Sequence, residues 1–520
     1  MTALAAPAVR TQAPVPRHER LAQLAAGSFD VLVIGGGVVG ASTAWAAARA
    51  GASVALVDQG DAAGATSSAS SKLVHGGLRY LGLGDVRLVR EAHRERRWNA
   101  RLVAPHLVRP LRFILPVGPQ TPYRATELRA GVFVYSALSG FKDGRSGRLS
   151  ADQAVALAPG LRPESAKTFI EYHDHQTDDA RLVLATLRTA EQLGVVWVNH
   201  AAVESLRLTH GKVAGAELID VISKDRFGIS ARVVINATGP WIDHIRALED
   251  PNAGTSIRLS KGAHLVLETD LSWQAAVTSP LPEGRVSFAL PWHGMLLLGT
   301  TDEPFEGDPA TVQATDADRE QILTEASTSL SADVVRPDRV RAAFAGLRVL
   351  PLGGTSTAGT KRETVIETGR GGMISVAGGK LTTWRKIGID VAGQALASIG
   401  HAQPGNDPVP LIGAADPESV VAELGRSHPG VSTETRRHLA SLYGSLAHEV
   451  LEPAREDATL YEPIVPGAPD LLAQALYAVD RELAQNTDDV LRRRTTVSIR
   501  GLDEAARPRI ARFLDGSLAA

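Results

Sequence analysis

The chain has 520 residues, 44% of them hydrophobic and 22% charged, with a formal net charge of -2; at roughly 150 residues per domain this is room for about three domains. That balance is ordinary for a soluble globular protein and argues against a nucleic-acid partner, which favours a clearly basic chain. There is no cysteine, so disulfides, thiolate metal sites, cysteine nucleophiles and cysteine-held iron–sulfur clusters are excluded, and redox chemistry needs an organic cofactor or a metal held by His and carboxylate.

The opening stretch is rich in Ala and Pro and lacks the continuous apolar run of a signal peptide. It predicts a flexible arm over 1–28, with a short helix at 17–26. Order begins at Phe29. Asp30-Val31-Leu32-Val33-Ile34 reads as a buried parallel strand, 41–50 as a helix of small residues capped by Gly51, and Ser53 to Asp58 as a second strand. This is a βαβ unit in about 30 residues. Further on, 181–193 reads as a helix, and 231–237, 264–268, 295–299 and 373–376 read as strands. The stretch 404–410, with Pro404, Gly405, Pro408 and Pro410, reads as a linker, and from Pro417 onward the pattern is mostly helical. No segment offers ~18 apolar residues free of charge, so no membrane span is expected.

Between the first strand and helix lies Gly35-Gly36-Gly37-Val38-Val39-Gly40, a G-x-G-x-x-G in the context that gives it meaning. Gly35 permits the tight turn, Gly37 lets the backbone approach a pyrophosphate, and Gly40 allows close helix–strand packing. The helix N-terminus offers unpaired N–H groups to a phosphate. Asp58, closing the second strand, is placed to accept hydrogen bonds from ribose hydroxyls. After it, a run of small hydroxyl residues, Thr66 to Lys72, leads to His75-Gly76-Gly77; such a loop lets a flat ring system lie against backbone.

From Thr66 to Tyr80 the sequence reads TSSASSKLVHGGLRY, which resembles the signature of FAD-dependent, aerobic-type glycerol-3-phosphate dehydrogenases. The resemblance continues, in family order, in Asp178 to Leu184, Asn236 to Trp241, Lys261 to His264, Gly299 to Asp302 and Gly378 to Thr383. Tyr443-Gly444-Ser445 and Asp489 to Thr495 resemble the family's helical domain. The fold implied is α/β, a Rossmann-type FAD-binding domain interleaved with an α+β substrate domain over 29–400, followed by a C-terminal helical domain over 401–520. Asp58 stands where Glu is more usual, Val349 where Pro is expected after Arg348, and Trp384 where Tyr is usual.

The activity implied is oxidation of sn-glycerol 3-phosphate to dihydroxyacetone phosphate by hydride transfer to FAD. Such a reaction needs a hydride acceptor at C2, a base for the hydroxyl proton and cations for the phosphate. The resemblance places Arg79, Arg348, Arg362 and Lys380 at substrate-contacting positions, which suits arginine's paired donors. His264 is the expected base, since His titrates near neutral pH, and Tyr80 is expected in the same pocket. Cofactor contacts are expected from Gly35, Gly37, Gly40, Asp58, Thr66, Ser70, Ser71, Lys72, Gly76, Gly77, Thr238, Gly239, Gly379, Lys380, Leu381 and Thr382. The helix expected after Lys380, with Thr382 or Thr383 as its cap, would stabilise negative charge on reduced cofactor. Asp179 and Arg181 read as a local helix cap and ion pair. Tyr172-His173-Asp174-His175 reads as a polar loop without metal spacing, and no metal is expected.

Arg87, Arg90, Arg94, Arg97 and Arg101 recur at helical spacing among Leu88, Val89, Trp98 and Leu102. The pattern reads as a solvated helix with an Arg87–Glu91 pair, or as a basic amphipathic surface for anionic lipid. The family works at the inner membrane face and delivers electrons to quinone, so the implied setting is cytoplasmic with peripheral membrane contact. A homodimer, oxygen in place of quinone, an amine or amino acid as substrate, and a flavin-binding protein without turnover stay open.

Overall fold

The computed structural model describes residues 13–81, 85–119, 121–352 and 364–517. The β-branched run Ser28–Ile34 forms the centre of a sheet ordered Val365–Thr368, Ile374–Ala377, Arg226–Asn236, Ser28–Ile34, Val54–Val57, Val196–Val198. Neighbours from Ile374–Ala377 to Val196–Val198 are parallel, so both faces need cover and the strands read as unbroken apolar runs. The helices Val38–Arg49, Asp179–Glu191 and Trp384–Ser398 contribute residues to one core with this sheet. The small residues Ala41, Ala44 and Ala47 let Val38–Arg49 pack closely, and Trp45 stacks on Trp384 with ring centroids 5.9 Å apart.

A second, mostly antiparallel sheet is made from intervening segments. Its order is Glu303–Phe305, Ile257–Leu267, Met295–Gly299, Val286–Trp292, Ala275–Pro280, Arg109–Val117, Thr168–Gln176, Leu73–Val74, with Val340–Pro351 paired to Ile257–Leu267. Chain segments thus alternate between the sheets, which is the interleaving implied by the resemblance. From Pro417 the chain is helical, with its own core around Leu439, Tyr443, Val450, Leu472 and Ile510.

Three local expectations are corrected. The segment Arg17–Ala26 is a helix fastened to the body rather than part of a loose arm: Leu24 is buried, Arg17 pairs with Asp220 and Arg20 with Glu191. Tyr172 to His175 lies within the strand Thr168–Gln176, not a loop, because Asp174 finds a buried partner in Arg96. The helix cap near 180 is Asp178, whose Oδ1 accepts from the Arg181 amide at 3.0 Å. Asp179 and Arg181 instead make long-range pairs, with Lys72 and Glu482.

Candidate active site

The glycine turn has the shape its sequence predicts. Gly35 takes φ +111°, and a Cβ there would lie 2.5 Å from the Ala237 oxygen. A Cβ on Gly40 would lie 1.8 Å from the Gly35 carbonyl oxygen, so Gly40 is what lets the helix start against the strand. At Gly37 only Ser67 Oγ comes near, at 3.1 Å, leaving backbone accessible from that side. Asp58 folds back on the turn, accepting from the Gly36 amide at 2.6 Å and the Gly60 amide at 2.8 Å; burial pushes its pKa up against these two donors. An open, Cβ-free approach at a helix N-terminus beside a carboxylate fits the pyrophosphate and ribose of a dinucleotide. Ser67 was not singled out from sequence, yet its hydroxyl accepts from the Val38 amide at 2.9 Å and so stands at the phosphate end of the helix.

The hydroxyl-rich loop links the two sheets. Thr66 Oγ1 donates to the Leu347 carbonyl at 2.8 Å, and Gly346 makes room for Ala69, whose atoms a Cβ would meet at 2.8 Å. Ser71 Oγ lies 2.9 Å from Nε2 of His264. Further along, the Thr382 hydroxyl accepts from the His75 amide at 3.0 Å and donates to its carbonyl at 2.9 Å. That clasp ties the His75-Gly76-Gly77 turn to the Gly378 to Thr383 segment. It also replaces the expected cap: neither Thr382 nor Thr383 caps the following helix through its side chain. Gly379, with φ +115°, precedes Lys380 and Leu381 at this helix start, and Thr238 and Gly239 follow the strand Arg226–Asn236.

His264 sits on the strand Ile257–Leu267 opposite Gly299 and Phe344. Gly299 makes space for the ring, since a Cβ there would lie 2.5 Å from His264 Cδ2. Phe344 stacks on the other side at 5.1 Å and 17°. Burial, with Arg348 and Lys72 nearby, pushes the imidazole down to about 3, so the ring is neutral at ordinary pH. Nε2 is held by Ser71, and Nδ1 is buried with no hydrogen-bond partner among the described residues.

Arg348 folds across Gly262, where a Cβ would come within 2.5 Å of the guanidinium. Its Nη2 donates to Thr300 Oγ1 at 3.0 Å and its Nη1 to the Thr301 carbonyl at 3.2 Å. The Lys-Gly-Ala-His and Gly-Thr-Thr-Asp motifs therefore serve one arrangement: two glycines clear the room that one His and one Arg occupy. Lys261 is turned away into a pair with Asp318 at 2.7 Å. Arg79 and Tyr80 lie on the short helix Leu78–Leu81 directly after the His75-Gly76-Gly77 turn. Arg362 lies outside the described residues.

The Lys72 side chain is engaged within the protein. Its ammonium is buried, 2.6 Å from Asp179 Oδ1 and 2.6 Å from the Ser68 carbonyl. Ser70 Oγ likewise donates to Asp179, at 2.6 Å. Elsewhere, Asp61, His200 and Asp489 bring three ligand atoms within 4.8 Å. Arg493 and Arg494 already neutralise Asp61, so the group reads as a buried ion-pair network rather than a metal centre.

A parallel sheet with a glycine turn at a helix N-terminus, interleaved with a sheet that presents a neutral His and a cation, defines a dinucleotide-dependent oxidoreductase. Residues 30–385 match the family model for FAD dependent oxidoreductases, and residues 406–518 match the C-terminal domain of alpha-glycerophosphate oxidase. The chain is 36% identical over 503 residues to glycerol-3-phosphate dehydrogenase 2 of Mycobacterium tuberculosis, covering 94% of this chain and 85% of that one. It is 30% identical to the aerobic glycerol-3-phosphate dehydrogenase of Bacillus subtilis, covering 92% and 89%. The crystal structure of the Bacillus halodurans glycerol-3-phosphate dehydrogenase, complexed with FAD, matches with a TM-score of 0.76 at 29% identity, over 96% of this chain and 97% of that one. Glycine oxidase from Geobacillus kaustophilus matches at 19% identity and a TM-score of 0.54, a likeness of fold alone. The chain belongs to the FAD-dependent glycerol-3-phosphate dehydrogenase family.

Proposed function

We propose that the protein oxidises sn-glycerol 3-phosphate to dihydroxyacetone phosphate, with a quinone as the final electron acceptor. FAD, when bound, supplies the hydride acceptor. The C2–H bond breaks with its electron pair, and the hydroxyl proton passes to the His264 ring as the ketone forms. Burial keeps that ring neutral, the form a base requires, and a dianionic substrate in the same pocket raises its proton affinity. Arg348, with Arg79, Arg362 and Lys380, holds the phosphate and so fixes C2. Gly35, Gly37, Gly40, Asp58, Thr66 and Ser70 shape the dinucleotide site. Ser71, Gly76, Gly77, Thr238, Gly239, Gly379, Leu381 and Thr382 line the ring end.

The observation that carries this reading is a buried neutral His264 close to Arg348 on one sheet, with His264 held by Ser71 of the hydroxyl-rich loop. The test is an anaerobic titration. Purified flavoprotein should lose its visible flavin band on addition of glycerol 3-phosphate. Bleaching by amino acids alone would move the substrate class, and no bleaching by either would leave a flavin protein without turnover. Oxygen consumption measured against quinone reduction then separates oxidase from dehydrogenase.

We further infer peripheral contact with the inner face of an anionic membrane, where quinone resides. No helix among the described residues is long and apolar enough to cross a membrane. The basic helix Val86–Trp98 turns Val89 inward, and the expected Arg87–Glu91 pair is absent from the ion pairs of the described residues. Exposed apolar side chains come from the adjoining helix Ala125–Leu138 and its turn, where Phe133 is 58% exposed, Val134 44% and Phe141 38%, and from Val86 and Leu102 of the basic segment. Arg97 and Arg101 donate to the Ser139 and Lys142 carbonyls, which sets cations beside the apolar tip. Apolar side chains flanked by cations suit an anionic lipid surface. Vesicles containing anionic lipid should pellet the protein, and Phe133→Ser with Phe141→Ser should release it; equal pelleting with neutral vesicles would refute the charge component.

A further inference from the structure

The loop that bears the ring-end residues is held from behind. Asp179 opens the helix Asp179–Glu191 and is 1% exposed. Its Oδ2 accepts from the Ser70 amide at 3.1 Å and the Ser70 hydroxyl at 2.6 Å. Its Oδ1 accepts from Lys72 Nζ at 2.6 Å and from the Ala180 amide at 2.9 Å. Every atom it grips belongs to the loop or to its own helix start. Lys72 answers by donating to the Ser68 carbonyl, and its amide donates to Ser70 Oγ at 3.0 Å. Lys72 also holds φ +58°, a left-handed conformation that costs a lysine about 1 kcal/mol or more and persists only where the surroundings enforce it.

Between these two gripped residues lies Ser71, whose hydroxyl meets His264 Nε2. The Lys72 ammonium stands 5.1 Å from the Phe344 ring, the same ring that stacks on His264. The helix start is itself anchored: Asp178 meets His293 Nε2 at 3.1 Å, and Arg181 pairs with Glu482 of the C-terminal helices at 2.8 Å while lying over Tyr443 at 4.2 Å. A buried pair of this kind contributes little net stability compared with an apolar replacement, but it fixes one geometry.

We propose that Asp179 is a positioning residue for His264. With Lys72 it locks the 68–72 loop so that Ser71 holds the His264 ring in one orientation. The inference rests on the reading of His264 as part of the reacting site. It assigns the unusual buried lysine of the hydroxyl-rich loop to the protein's own geometry rather than to a ligand. It also explains why the C-terminal helices, which carry no expected site residue, close against this helix start.

The test uses the FAD-loaded protein, with Asp179→Asn and Ser71→Ala compared with His264→Ala. The chain has 15 histidines, so the His264 signal in a 15N-histidine spectrum is identified by its loss in His264→Ala. Both positioning variants should shift or broaden that signal, Asp179→Asn with the FAD-to-protein ratio of the parent. They should lower kcat about 10-fold to 100-fold with little change in KM, the scale of a small misplacement of a reacting group. Asp179→Asn combined with His264→Ala should be no slower than His264→Ala alone. If Asp179→Asn fails to fold, Ser71→Ala cuts the same link and leaves the Asp179–Lys72 pair intact. An unchanged His264 signal in the variant that folds, or multiplicative losses in the double variant, overturns the proposal. Full activity in His264→Ala would instead overturn the catalytic reading of His264, while the ring signal still reports whether Asp179 orients it.

Discussion

Replacing Gly37 and Gly40 separately by alanine divides binding from folding in the glycine turn. A Cβ on Gly40 would sit 1.8 Å from the Gly35 oxygen, 3.0 Å from the Gly35 carbon and 3.3 Å from Val33 Cγ1. Two of these three are backbone, so relief requires the helix to shift from the strand, and overpacking of this kind costs about 3 kcal/mol or more. A Cβ on Gly37 meets only Ser67 Oγ at 3.1 Å, which that side chain relieves by moving, at the cost of at most its hydrogen bond from the Val38 amide, about 1 kcal/mol. The larger cost falls on the ligand, because the methyl occupies the backbone's line of approach to a pyrophosphate. Gly37→Ala should therefore fold as an apoprotein with nearly the parent Tm, yet bind FAD about 100-fold more weakly, or about 3 kcal/mol. Gly40→Ala should lose both. Apoprotein melting and fluorescence titration with FAD read the two quantities independently. Parent-like FAD affinity in Gly37→Ala would refute the phosphate role of the turn.

Four further outcomes follow from the packing and from the buried titratable and charged groups. His93 and His175 are held down to about 4, and His106 and His264 to about 3, chiefly by burial. Their folded pKa values lie below the unfolded value, so the stability they permit is complete above about pH 6.5 and is lost as pH falls toward 4. Each contributes a slope of about 1.4 kcal/mol per pH unit within that window, so Tm should drop steeply between pH 6.5 and 5; a flat Tm there contradicts the burial. Asp61→Ala removes the carboxylate that buried Arg493 and Arg494 share, leaving Arg493 with Asp489 alone, and should destabilise the chain by about 3 kcal/mol, seen as a lower urea midpoint. Arg348→Ala should raise KM for glycerol 3-phosphate far more than it weakens FAD binding, and equal loss of both would remove Arg348 from the phosphate site. Gly299→Ala should lower kcat by displacing the His264 ring, whose Cδ2 a Cβ would meet at 2.5 Å; unchanged turnover would show that the ring has room to spare.

The parts of the fold that local pattern determines were legible in sequence. Val31 to Ile34 is an unbroken apolar run because a central parallel strand is covered on both faces, and Gly35 and Gly40 each answer a close approach of backbone. The strand Met295–Gly299 and the helix after Lys380 were legible for the same reason. What periodicity could not give was partnership across long sequence distance. Asp174 in a polar-looking stretch belongs to a strand because Arg96, 78 residues away, neutralises it. The ammonium of Lys72 finds its partner in Asp179, 107 residues on. Arg181 looks like a local cap partner until Glu482 arrives from the C-terminal helices, 301 residues on. Ser67 carried no signal beyond its place in a hydroxyl-rich run. Within the candidate site, the glycines of Lys261-Gly262-Ala263-His264 and Gly299-Thr300 were read as family pattern, and only the packing explains them as space for Arg348 and His264.

The central claim is that C2 of glycerol 3-phosphate gives up a hydride to FAD held by this chain. Rapid mixing of the oxidised holoprotein, without oxygen, against glycerol 3-phosphate and its C2-deuterated form measures that step directly in a single turnover. The flavin band should be lost in both, more slowly with deuterium at C2, and dihydroxyacetone phosphate should form in amount equal to the flavin reduced. A flavin band that persists with saturating glycerol 3-phosphate, or bleaching without the ketone, would contradict it.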